Sequence, residues 1–466
     1  MKKKTSNLTA RIMVAMVLGI VAGILMIVLR ENLISNGSES VWNTINNLLF
    51  ADISVEGNEK SIGLFYIVGQ LFVRALQLVI IPMVFTSIVL AMVRISDSKK
   101  LGRISSKTLG FFLLTTVIGI VLASVVGMMA YYNGMFTEIS TNLEKGNGTT
   151  GANPLMIVVN AMPNNMALAF TNNGGVLAIV ITAVAVGLSI NVLGDKVTVL
   201  KKLCQEVSDV ITVFLNFIVN TFGPVAIFCL LTRACAAYGI AYLKPALSYI
   251  ILTTSLLLVT LLVGYPLFVK LTTGENPWIF FKKISKVALF GFSTSSSAAT
   301  LPLNMKVNTE DLGVKEDVAS FVLPLGMTVN MDGTAIMQVI AAIFIASCGG
   351  YNITPSMLLL IGVLAIVSSV GTPAAPGAGA VILFTILSGV GITNEAALVA
   401  YSLILAINRP IEMLVTSLNI VGDSACALAV AKSEDSLNEK VYNSLGSDEE
   451  ASVGNNAPIY RTAKLK

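Results

Sequence analysis

The chain has 466 residues, 55% of them hydrophobic and only 12% charged, with a formal net charge of +4. A water-facing globular surface of this size needs many more charges, so a soluble fold is excluded and an integral membrane protein with several spanning helices is implied. The small positive balance lies in short loops between apolar runs, where it orients a membrane protein and is no nucleic-acid footprint. There is no histidine, which excludes histidine catalysis and ligation and leaves carboxylates to carry any coupled proton. The five cysteines (Cys204, Cys229, Cys235, Cys348, Cys426) fall singly among apolar residues, with neither disulfide nor metal spacing. We expect no enzyme.

In chain order, lysines at 2–4 precede an apolar run from about Ile12 to Leu29. It is long enough to span a bilayer and has no small-residue cleavage site after it, so it reads as a first helix with a cytoplasmic N-terminus. Residues 30–61 are polar and mixed, hence external. A second span, about Leu64 to Val93, leads to the basic loop Ser98–Arg103, which belongs inside. A third runs from about Thr108 to Tyr132, and residues 133–172 read as an external loop. Spans at about Val176–Leu193, Val207–Leu231 and Pro245–Val269 bring the count to six, with the basic loops all on one side.

The second half departs from this rhythm. Val287 to Met305 is too short to cross, is interrupted by Ser293–Ser297 and carries lysines on both flanks, which predicts a re-entrant hairpin. Residues 357–389 repeat the theme, two apolar arms flanking Ser368–Gly379. Paired Pro/Gly-interrupted segments point to a transport site between inverted repeats. Between the hairpins, Phe321 to Ala346 would cross as one helix but for Val329-Asn330-Met331-Asp332-Gly333-Thr334. Such residues at bilayer depth persist where they face a cavity or ion path, or as a polar kink that holds helices together. The final helix is expected from about Glu395 to Ala431. On it Asn408, Glu412, Thr416, Asn419 and Asp423 fall within about 80° of one another. Arg409 and Glu412, three residues apart, can also neutralise each other. Residues 433–466 read as a disordered cytoplasmic tail. The expected fold is all-α integral membrane, with eight transmembrane helices plus two re-entrant helical hairpins.

Ser295-Ser296-Ser297 before Thr300-Leu301-Pro302, Asn330-Met331-Asp332-Gly333-Thr334, Gly371-Thr372 before Pro376-Gly377-Ala378-Gly379, and Asn419 with Gly422-Asp423 occur in that order. With these motifs the chain resembles the dicarboxylate/amino acid:cation symporter family, from about residue 10 to 434. The resemblance implies the glutamate-transporter fold and a homotrimer in the plasma membrane with both termini cytoplasmic. It implies a scaffold (1–106, and 133–240 including the external loop), an elevator-like transport domain (107–132 and 241–432), and the tail 433–466. It also implies three sodium sites. One would use Asp423 with carbonyls of Gly326, Asn330 and Asn419. A second would use Asp332 and Asn330 with Thr115, Thr116 and the Phe112 carbonyl. A third would be mainly backbone, from Thr328, Met331, Ser369, Val370 and Thr372. Substrate would lie among Ser296, Ser297, Thr334, the second tip (Ala375, Gly379), Glu412, Val415, Thr416 and Asn419. Every implied ion ligand is an oxygen, as a hard cation requires.

Three departures bear on the substrate. Acidic-substrate members carry an arginine where this chain has Val415; most members have Asp where it has Glu412; many have an acid where it has Asn408. The arginine that some members place in the first hairpin is Ser295 here, while Arg409 sits on the last helix. Val415 lies about 40° from Asn419 on the helical wheel and faces the site, whereas Arg409 lies about 120° from Val415. The expectation is a symporter coupling sodium to uptake of a neutral amino acid. The alternatives are an acidic amino acid or dicarboxylate, coupled to sodium or protons with Arg409 swinging in, and a passive channel. A channel would need polar rings along one pore, whereas the polar residues here cluster at hairpin tips and helix breaks.

Overall fold

A computed structural model describes residues 8–54, 57–95, 101–136, 159, 162–171, 176–238, 243–370, 372, 374 and 377–444. Regular structure among them is helical: α1 Leu8–Ser35, α2 Glu39–Leu49, α3 Leu64–Ile95, α4 Leu101–Tyr132, a single turn Met166–Ala169, α5 Val176–Leu193, α6 Thr198–Phe217, α7 Gly223–Tyr238, α8 Leu243–Val259 and α9 Tyr265–Thr273. There follow α10 Pro277–Thr294, α11 Ser297–Lys306, α12 Glu316–Val329, α13 Asp332–Cys348, α14 Pro355–Val370, α15 Ala378–Val390, α16 Glu395–Ile407, α17 Arg409–Ser433 and α18 Glu439–Asn443. In hydrocarbon each backbone N–H and C=O must be satisfied within its own segment, which is why apolar runs become helices.

Among the described residues seven helical stretches are long and apolar enough to cross a membrane, where the sequence suggests eight. One of them, Ala178–Ala236, has 59 residues. As a straight rod it would measure about 90 Å, roughly three hydrocarbon thicknesses. It holds both the fourth and the fifth expected spans, joined without a break by the 3-10 turn Gly194–Val197. Both hairpins have the expected two-armed form, as α10–α11 and α14–α15. The expected final helix is instead divided at Asn408 into α16 and α17. Pro410, in the first turn of α17, lacks the N–H that an unbroken helix would need and fits a new start.

Around the site, α13 packs along α4, and α17 packs against α9, α10, α12 and α13. Elsewhere α1 packs on α7, and α3 packs on α5, α6 and α7. Two stretches read as loop or tail are ordered. Within 30–61, α2 buries Trp42, whose ring stacks 6.2 Å from that of Phe50. Arg233 on α7 fixes this corner, donating from Nε to the Phe50 carbonyl at 2.9 Å and pairing with Asp52 at 3.5 Å. The tail expected to be disordered from residue 433 begins with an attached strap. Leu437 bridges Val314, Tyr442 is buried, and Lys283 donates to the carbonyls of Val441 and Tyr442 at 2.8 and 2.7 Å. Residues 445–466, and most of the expected external loop 133–172, lie outside the described residues.

Candidate functional site

The site forms where the break between α12 and α13 faces the middle of α17. At the break, Asn330 and Met331 leave helical geometry, with φ/ψ of −95°/80° and −114°/53°. Such a break frees carbonyls deep in the protein, and buried carbonyls need partners or a ligand. Asn330 is fully buried and its amide joins two regions: Nδ2 donates to Asp423 Oδ1 at 3.0 Å, and Oδ1 lies 3.4 Å from the Thr115 hydroxyl. Asp332, the first residue of α13, accepts from the Thr116 hydroxyl and, at 2.7 Å, from Tyr265 Oη. The hydroxyls of Thr115 and Thr116 both also reach the Phe112 carbonyl, at 3.1 and 2.8 Å. Phe112, Thr115, Thr116, Asn330 and Asp332, distant in sequence, are therefore one cluster.

Asp423 is 2% exposed and lies against Gly326, where an added Cβ would come within 2.5 Å of its carboxylate oxygen. No other residue type fits that approach without moving the acid. Gly422 is similarly pressed by the hydroxyl of Tyr265, 2.3 Å from where its Cβ would stand. Asn419 connects this acidic cluster to a neighbouring cavity: its Oδ1 accepts from the Gly333 amide at 2.8 Å and its Nδ2 donates to Thr334 Oγ1 at 3.2 Å.

The cavity is small and partly enclosed. Of the expected substrate residues it is lined by Ser297, Thr334, Gly379, Glu412, Val415, Thr416 and Asn419. Ser296 does not line it. The Ser296 hydroxyl donates to the Ala374 carbonyl at 3.0 Å, joining the two hairpin tips, and accepts from the Ala299 amide to start α11. Ala375 lies outside the described residues. Met331 and Thr372, expected as ion ligands, also line the cavity, whereas Thr328, Ser369 and Val370 do not. The second tip also lines it through Ala374 and Gly377; Ser295 and Met337 were missed. Ser295 adopts a left-handed φ of 50°, rare for a residue with a side chain, and its hydroxyl is buried without a partner among the described residues. The run of serines hinted at a tip but not at which hydroxyl would turn inward.

Arg409 does not line the cavity. It is 5% exposed and pairs with Glu412, Nη1 to Oε2 at 3.4 Å, while its Nε has no partner among the described residues. Among the described lining residues Glu412 is the one charged group. Asn408, outside the lining, accepts from the Tyr249 hydroxyl at 2.8 Å, a neutral contact.

Buried carboxylates at a helix break, hairpin tips that bond to each other and line a cavity, and the helical architecture of the described residues define a secondary transporter of the broken-helix kind. The chain belongs to the sodium:dicarboxylate symporter family, which it matches over residues 8–433. It is a cation-coupled membrane symporter and not an enzyme. It is 28% identical, over 82% of its length and 91% of the relative's, to the proton/sodium-glutamate symport protein of Geobacillus stearothermophilus. It is 26% identical to the proton/glutamate-aspartate symporter of Escherichia coli, over 80% and 86% of the two chains. It is also 27% identical to the C4-dicarboxylate transport protein of Deinococcus deserti, over 78% and 83%.

Proposed function

We propose that the protein couples inward sodium flux to uptake of a neutral amino acid. The observation that carries the substrate class is the cavity wall: one carboxylate, Glu412, beside the apolar side chain of Val415, with Arg409 outside the lining. Glu412 suits a substrate ammonium. The Thr416 hydroxyl and the Asn419 amide suit its α-carboxylate. A second carboxylate on the substrate would meet Val415 partly desolvated and without a cation, which costs several kcal/mol, roughly a thousandfold or more in affinity.

A second reading, an acidic amino acid or dicarboxylate as substrate, is favoured by the comparisons. All three relatives named above carry acidic substrates by name, and two are named for protons as well as, or instead of, sodium. Arg409 is the cation that reading would recruit. The first reading follows this chain's own cavity, the second its relatives.

For the cations, the proposed ligands are Asp423 with carbonyls of Gly326, Asn330 and Asn419, and Asp332 with Asn330, Thr115, Thr116 and the Phe112 carbonyl. A third site from Thr328, Met331, Ser369, Val370 and Thr372 completes the set. Substrate release is proposed through the second hairpin, with α4 and the segment from α8 to α17 moving as an elevator within a homotrimer. The test is sodium-gradient uptake into proteoliposomes with unlabelled competitors. Alanine, serine or threonine should compete well and aspartate, glutamate and succinate poorly; the reverse order would establish the second reading.

A further inference from the structure

The pair formed by Arg409 and Glu412 raises a question that substrate binding alone does not answer. A carboxylate meant for a substrate ammonium must be neutralised again once the substrate leaves. Carrying a bare buried charge through a membrane protein is costly. Many charge pairs within helices are merely structural, but this one has three unusual features. Glu412 lines the cavity while its partner does not. The contact between the two is a single one of 3.4 Å, long for a charged hydrogen bond, and Nε has no partner among the described residues. The other polar groups that reach Glu412, the Ala380 amide and the side chain of Asn408, are neutral, and the Tyr249 hydroxyl donates to Asn408, so none supplies an alternative charge.

We propose that Arg409 is a tethered counter-cation: it neutralises Glu412 whenever no substrate ammonium does so, and thereby lets the unloaded site reorient without a counter-transported cation. This rests on the reading of Glu412 as the ammonium partner. When an amino acid binds, its ammonium shares the carboxylate and the loose arginine contact yields. When it leaves, the arginine restores the pair. Since the contact is a single point contact and not a two-pronged fork, a lysine of similar reach can serve.

The test compares two transport modes in proteoliposomes for wild type, Arg409→Gln and Arg409→Lys, each first checked for monodispersity and thermal unfolding. The probe is whichever of labelled alanine, serine or threonine the wild type takes up best. Net uptake under a sodium gradient requires the unloaded carrier to return, whereas homoexchange, with sodium and substrate on both sides, does not. Wild-type net uptake is expected to be equal with internal potassium or internal choline. In Arg409→Gln the ratio of net uptake to exchange should fall at least tenfold, and Arg409→Lys should recover most of it. Net uptake and exchange falling together, an unchanged ratio, or a wild-type requirement for an internal cation would each overturn the proposal. Wild-type protein that neither takes up nor exchanges a neutral amino acid would instead overturn the reading beneath it.

Discussion

The stretches Arg11–Ser35 and Glu316–Cys348 differ in a direction opposite to that of a soluble protein. The first is the more apolar, yet only 28% of its spanning window is buried; the second carries Asn330, Asp332, Thr334 and Gln338, and its window is wholly buried. α1 presents Val14, Val17, Leu18, Val21 and Leu25 outward. In lipid these side chains already lie in a favourable medium, so there is little drive to bury them, whereas polar groups must find protein partners. Burial inside this protein follows polarity, and the most buried helices are where function is to be sought.

The largest effect expected from breaking this arrangement is at Asp423. Replacing it with Asn leaves backbone dipoles and neutral amides to hold a cation in a low-dielectric pocket. Asp423→Asn should raise the sodium concentration for half-maximal uptake by roughly a hundredfold, on the order of 3 kcal/mol, in correctly inserted protein. An unchanged sodium dependence would remove Asp423 from the cation site. Next in size is the cavity wall: Val415→Arg combined with Glu412→Asp should introduce aspartate uptake and weaken neutral substrates by about tenfold or more. Competition assays read this directly, and continued rejection of aspartate would mean that the wall does not select.

The same substitution in the two kinds of environment sharpens the contrast. Gly326→Ala drives a methyl group against the Asp423 carboxylate and should cost about 1–3 kcal/mol in thermal stability, with weakened sodium binding. Gly110→Ala on α4 meets nothing within 4 Å among the described residues and should be neutral or up to about 1 kcal/mol stabilising. Equal effects in thermal unfolding would contradict the packing described. The smallest effect lies outside the membrane, at Glu434, where hydrogen bonds from Arg103 and Lys107 hold the carboxyl below its usual range. A lowered folded-state pKa gives stability that is present above the ordinary carboxylate range and is lost as pH falls through the folded value. Glu434→Gln should therefore be slightly less stable than wild type at neutral pH, the gap closing below about pH 4. A gap that persists in acid would assign it to packing.

The broken helix at Asn330-Met331 was legible because an acid, an amide and a glycine stand out in an apolar run, and the hairpin tips because serine, proline and glycine do. The division at Asn408 was also signalled, by Pro410, but the polar stripe running through it suggested one continuous helix. The helix α2 was missed because its apolar residues Trp42, Ile45 and Leu49 lie on one face of a segment polar on average. Residue roles at the tips were less legible. Nothing in three consecutive serines says that Ser296 will tie the tips together while Ser295 and Ser297 turn to the cavity. That outcome depends on the left-handed backbone at Ser295, which sequence pattern does not encode.

The most direct measurement of the central claim is calorimetric binding to the purified protein, with alanine, serine and aspartate each titrated with and without sodium. A neutral-amino-acid symporter should bind alanine or serine only weakly without sodium and at least tenfold more tightly with it, and should bind aspartate at least a hundredfold more weakly than either. Aspartate binding more tightly than alanine and serine, or neutral binding indifferent to sodium, would contradict it.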